Sequence, residues 1–243
     1  MLARRLWQAD VLQSVSAPSV PSGEPVAELG PPVPATQAVK AVEMNGAQVV
    51  IGIGNPGARY ADTPHNIGHD VLDRVAVSLD AKWVEQEQAV VARQTREGRE
   101  LCLIKLQIGV NASGAAVRSL SECLGFGAAD CILVHDDLDL PLGTVRSRMR
   151  GSAGGHRGVA SVLDAFQSDA VRRVKVGIGR PGGVGNAADY VLRPFEEADR
   201  ALVEQACKTA VERILHLATA QEGQKPEPKR KFAHEVQDGA SRA

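Results

Sequence analysis

"AQVVIGIGNPGARYADTPHNIGHDVLDRVAVSLD", residues 47–80, is the stretch whose reading decides the fold. It opens on a short β-branched run that closes on glycine, the pattern of a buried strand. From Ile67 the period changes, and Ile67, Val71, Leu72, Val75 and Leu79 recur at helical spacing. The same alternation continues downstream. "QAVVARQT" and "ELCLIKL" read as strands, and a loop holding Asn111 then leads into a helix carrying Ala115, Val117, Leu120 and Leu124. "CILVHDD" is another buried strand, "TVRSRMR" alternates with period two, and "GGHRGVASVLDAF" passes from a Gly-rich loop into a helix. "VRRVKVGIG" is a further strand, and a long helix runs from Glu196 to about Ala220. Alternating strands and helices predict an α/β fold, one domain over residues 46–220 with a sheet covered on both faces. No internal repeat is present.

The flanks differ in composition. Residues 1–45 are rich in Pro, Ser and Ala and lack a period, which predicts a disordered N-terminal extension. Its opening "MLARRLWQ" admits an organellar transit peptide, mitochondrial or plastid, against which Asp10, Glu24 and Glu28 count. Residues 221–243 are polar and predict a flexible tail. Hydrophobic residues make up 44% of the 243-residue chain, ample for a packed core. With 28 basic and 29 acidic residues the net charge is −1, so overall charge predicts no nucleic-acid partner and any basic face must be local. The four cysteines, Cys102, Cys123, Cys131 and Cys207, form no CxxC pair and are expected to be small core residues in a reducing, cytoplasmic compartment. No run approaches the roughly 20 apolar residues of a membrane span.

In open α/β sheets ligands gather at the loops beyond the strand ends. The polar residues that this sequence places there are Asn55 after the first strand, Asn111 after a middle one, and His135, Asp136, Asp137 and Asp139 around the end of "CILV". "GIGNPG" has neither the GxGxxG nor the GxxxxGK[ST] spacing, so a nucleotide loop is disfavoured. Its Pro and Gly fix a tight turn that holds the Asn55 amide. His65 precedes the first helix, where the helix dipole favours a neutral imidazole suited to act as a base. Asp136 is placed to orient that imidazole. The competing reading of the Asp cluster is an oxygen-ligand Mg²⁺ site.

Charge is uneven. Between Thr144 and Arg180 stand Arg146, Arg148, Arg150, Arg157, Arg172, Arg173, Lys175 and Arg180 against Asp164 and Asp169. Arg146, Arg148 and Arg150 alternate and are expected to share one strand face, which points to a phosphate-bearing partner.

"IGIGNPGARYADTPHNIG", "VNASG", "VHDDLDLPLG", "GSAGGHRG" and "VKVGIGRP" stand in the order and spacing of the bacterial-type peptidyl-tRNA hydrolases, and the resemblance runs from about Gln48 to Ala218. It implies a single-domain, phosphorylase/hydrolase-like α/β fold with a mixed, mostly parallel sheet. It also implies hydrolysis of the ester between peptide and tRNA by a monomer that needs no cofactor and no metal. Carried over residue by residue, it makes His65 the base and Asp136 its partner. Asn55, Tyr60 and Asn111 become substrate-binding positions, Arg148 a tRNA phosphate contact, and His156 a residue at the cleft rim. From the basic stretch, Arg146 and Lys175 are expected to join Arg148 at phosphate, and Arg157 to bind substrate at the cleft. Three positions depart from the family pattern: Pro64 stands where Arg is usual, Val110 where Met is usual, and Arg157 where Asn is usual. The alternative function is noncatalytic RNA binding on the same fold, as in plastid splicing factors that resemble the family.

Overall fold

The computed structural model describes residues 46–181 and 186–219; the expected N-terminal extension and polar tail lie outside the described residues. In chain order the elements are β1 (Gln48–Gly52), α1 (Ile67–Ser78), β2 (Val84–Glu85), β3 (Ala89–Arg96), β4 (Arg99–Leu106), α2 (Ser113–Leu124), β5 (Cys131–Asp137), β6 (Val145–Arg148), α3 (Arg157–Phe166), β7 (Arg172–Gly177), α4 (Ala187–Tyr190) and α5 (Arg200–Thr219). Among the described residues the strands form one seven-stranded sheet in the order β2-β3-β4-β1-β5-β7-β6. The centre, β4-β1-β5-β7, is parallel. The outer pairings are antiparallel, so the sheet is mixed, with its parallel part buried.

Every residue of β1 is buried because both faces of the strand are covered. Val50 joins Ile67, Val71, Leu72 and Val75 of α1 and Ala206, Cys207, Ala210 and Ile214 of α5 on one side. Val49 and Ile51 join Ala116 and Val117 of α2 and Val159 and Val162 of α3 on the other. The result is the expected three layers, with helices on both faces. The start of α1 lies close against the sheet. A Cβ on Gly68 would collide with the carbonyl oxygens of Val134 and Ile53, and one on Gly52 would come within 2.6 Å of the Gly68 oxygen. Glycine at both positions lets α1 begin directly over the ends of β1 and β5.

Several local expectations need correction. β2 is only two exposed residues long and has no period to betray it. β5, by contrast, has the expected span through His135, Asp136 and Asp137, because these residues pair with Lys175, Val176 and Gly177 of β7. β6 stops at Arg148, so Arg150 lies beyond the strand and instead pairs with Asp169 at 2.8 Å. On α2 it is Ala116, not Ala115, that faces the core, and Cys123 is exposed because it lies off the Val117–Leu120–Leu124 stripe. The other three cysteines are buried. Among the described residues, no helix is long and apolar enough to cross a membrane.

Candidate active site

A cleft of about 710 Å³ opens beyond the carboxyl ends of the central strands, where such sheets place ligands. Asn55, Tyr60, His65, Asn111, Asp136 and Arg157, scattered over about a hundred positions of sequence, all line it. Arg146, Arg148 and Lys175 do not; they lie on β6 and β7 at the sheet edge.

His65 sits in a 3-10 turn, Pro64–Asn66, that leads into α1. Pro64 takes the first position of this turn, where a missing N–H costs little, so the departure from Arg leaves the backbone intact. The His65 N–H donates to the Val191 carbonyl at 2.9 Å, which fixes the turn from the far wall of the cleft. In the side chain, Nδ1 lies 3.0 Å from Asp136 Oδ1. A carboxylate only accepts, so Nδ1 carries the proton and Nε2 is left with its lone pair. Burial pushes the Asp136 carboxyl up, but the imidazole N–H groups of His156 and His65 outweigh it and hold the group well below the usual carboxylate range.

His156 is the second donor, with Nε2 at 2.9 Å from the same Oδ1. It is also the N-cap of α3, its Nδ1 accepting the Val159 N–H at 3.2 Å. His135 lies behind both, fully buried, its Nδ1 2.6 Å from the Asp136 carbonyl oxygen and its ring edge-on to His156 at 4.9 Å. Burial first, and His156 second, push the His135 imidazole down to about 3, so this ring stays neutral. The ligand atoms of His65, Asp136 and His156 lie within 4.8 Å of one another, a spacing that invites a metal. The donor set does not fit one. Capping α3 requires a lone pair on His156 Nδ1, so Nε2 bears the proton and has no lone pair to offer an ion. Nor do the acidic residues form an Mg²⁺ set: Asp137 pairs with Lys175 and Asp139 with Arg180.

Asn55 is held at three points. Asn66 clamps its backbone, Oδ1 accepting the Asn55 N–H and Nδ2 donating to the Asn55 carbonyl, both at 2.9 Å. The Asn55 Oδ1 in turn accepts the Val110 N–H at 3.1 Å. With its oxygen engaged, the Asn55 side chain presents its Nδ2 donors, so the amide acts toward the cleft as a hydrogen-bond donor. Because the Val110 backbone makes this contact, the exchange of Met for Val leaves it unaffected. Asn111, next in the chain, is exposed at the wall. Tyr60 lines the cleft under the Arg59 guanidinium, 4.6 Å from the ring centre. Arg157 is the exposed first residue of α3, and the cleft stays open beside it.

The expected basic face is partly dispersed. Arg172 reaches Gln48 and the Leu217 carbonyl, and Arg173 is buried with its guanidinium donating to the Ser152 carbonyl at 2.7 Å. Arg146 and Arg148 remain exposed on one face of β6, opposite Lys175 and Arg173 in register. Arg148 opposite Arg173 is an unfavourable like-charge pair, whereas Lys175 opposite Arg146 is neutralised by Asp137.

Sequence reasoning left Asn66 unassigned and put His156 only at the rim. For Asn66 the partner is backbone eleven residues away, and for His156 it is a carboxylate twenty residues away. The available signal for His156 was its position just before a helix, where a side-chain acceptor caps the first turn.

Comparison with known proteins identifies the family and the fold. The sequence model of the family described as Peptidyl-tRNA hydrolase matches residues 49–236. A peptidyl-tRNA hydrolase of Persephonella marina is 40% identical over 170 residues, 70% of this chain and 90% of its own length. One of Mycobacterium tuberculosis is 40% identical over 166 residues, 68% of this chain and 87% of its own. In the crystal structure of peptidyl-tRNA hydrolase from Acinetobacter baumannii the same fold recurs with a TM-score of 0.67 and 25% identity, covering 72% of this chain and 90% of that one. The chain therefore belongs to the peptidyl-tRNA hydrolase family.

Proposed function

We propose that this chain hydrolyses the ester joining a peptide to the 3′ ribose of tRNA, returning tRNA from peptidyl-tRNA released prematurely by the ribosome. The observation that carries the reading is one imidazole, His65, held through Nδ1 by a buried carboxylate with Nε2 open to a cleft that also receives the Asn55 amide. His65 Nε2 takes a proton from water, and the resulting hydroxide attacks the ester carbonyl. The oxyanion is stabilised by the Asn55 Nδ2 donors. Collapse expels the ribose oxygen, which takes the proton back from the imidazolium and leaves as tRNA, while the peptide departs as a carboxylic acid that loses its proton to solvent. Asp136 keeps its proton off throughout and stabilises the transient imidazolium.

Asn111 and Tyr60 bind the peptide and terminal nucleotide, and Arg157 adds a cation at the wall of the cleft. Arg146 and Arg148 meet tRNA phosphates, with Lys175 contributing less because Asp137 already neutralises it. The family resemblance supports a cytoplasmic monomer as the working form, with residues 46–220 as the hydrolase domain.

The test is incubation of purified protein with an N-acetylated aminoacyl-tRNA, following both free tRNA and free acyl amino acid. Catalytic release is the expected result. Tight, salt-sensitive tRNA binding without release would replace this reading with noncatalytic RNA binding.

A further inference from the structure

One oxygen of Asp136 accepts twice. His65 Nδ1 at 3.0 Å and His156 Nε2 at 2.9 Å both reach Oδ1. His65 Nε2 has no hydrogen-bond partner among the described residues, whereas both nitrogens of His156 are engaged, Nε2 by Asp136 and Nδ1 by the α3 cap. His156 is therefore fixed in one neutral tautomer, with its side chain only 7% exposed. Its ring packs at 4.9 Å against both His65 and His135.

We infer that His156 is a positioning residue that weakens the hold of Asp136 on protonated His65, and so sets the lower edge of the pH range in which His65 works as a base. The inference rests on the hydrolase reading above. A carboxylate oxygen already bound by one N–H has less charge to offer a second donor. With His156 in place, Asp136 Oδ1 divides its charge between two donors and holds the His65 imidazolium less tightly. Without His156, the full carboxylate charge falls on His65 and holds its imidazolium more tightly.

The other charged groups around the cluster do not supply this effect. Asp137 and Lys175 neutralise one another, as do Asp139 and Arg180. His135 is engaged with the Asp136 backbone. Arg157 stands exposed to solvent, where its field is screened.

The test is the pH dependence of kcat/KM for N-acetylated aminoacyl-tRNA in wild type and His156→Asn. Asparagine keeps an oxygen to cap α3 but is too short to reach Asp136. The acidic limb is expected to move up by about one pH unit. On the acid side of both limbs kcat/KM then falls roughly tenfold and recovers as pH rises, with the tRNA KM held within about twofold. His156→Gln, long enough to donate to Asp136, is expected to return the limb toward its wild-type position. Loss of the same size at every pH, with the limb unmoved, would overturn the inference while leaving the hydrolase reading standing. A wild-type protein that releases no tRNA at any pH would overturn both. Thermal unfolding of both variants checks that the fold is kept.

Discussion

Asn66 commits both ends of its side-chain amide to the backbone of Asn55, and this fixes where the Asn55 donors point. Asn66→Ala would leave the part-buried N–H and C=O of Asn55 without this partner, costing about 1 kcal/mol of stability. It should lower kcat while the tRNA KM stays near its wild-type value, because the loosened donor acts on the oxyanion rather than on tRNA binding. A raised KM at constant kcat, in steady-state assays, would mean that the clamp serves substrate binding instead. The residues that carry the proposed chemistry, Asn55, Asn111, His65 and Asp136, were legible in the sequence because each is polar at a strand end or turn. Asn66 and His156 were not, since their roles depend on hydrogen-bond partners that only the folded chain brings near. His65 needed both kinds of information: its place before a helix was visible, but its anchor on the Val191 carbonyl was not.

At the scale of elements, α1 combines an apolar stripe that the sequence displayed openly with a cost that it concealed. Asp70 lies in the first turn, half-buried against the sheet. Burial, followed by the nearby carboxylates of Asp62 and Asp73, pushes it from 3.8 up to about 6, despite Arg74. A carboxyl whose folded pKa is raised stabilises the fold most at low pH, and this contribution is lost as pH rises through about 6. Asp70→Asn is therefore expected to stabilise the protein at about pH 7.5 by on the order of 2 kcal/mol, a gain that shrinks toward zero near pH 4. Denaturant unfolding at the two pH values checks this, and an equal gain at both would contradict it. Periodicity revealed the long helices and the buried strands because each has a face that must be apolar. It missed β2, which is two exposed residues, and ran β6 past Arg148, because alternation in "TVRSRMR" outlasts the pairing with β7.

For the whole molecule, a net charge of −1 coexists with an edge on which Arg146 and Arg148 face Lys175 and Arg173 across two strands. Replacing Arg146 and Arg148 together with Glu should raise the tRNA KM more than it lowers kcat. It should also reduce the salt dependence of tRNA binding by a slope of about 2 in log K against log salt. Lys175→Met should change that slope less, since Asp137 already neutralises the ammonium. An unaltered slope in the double variant, from binding titrations at several salt concentrations, would remove the sheet edge from the tRNA footprint. The central claim is that His65, oriented by Asp136, generates the attacking hydroxide. It is tested most directly by single-turnover release of tRNA from N-acetylated aminoacyl-tRNA at saturating protein, comparing wild type with His65→Ala. The account predicts a fall of roughly a thousandfold or more in the rate of release, with tRNA affinity preserved. Release by His65→Ala at close to the wild-type rate would contradict it.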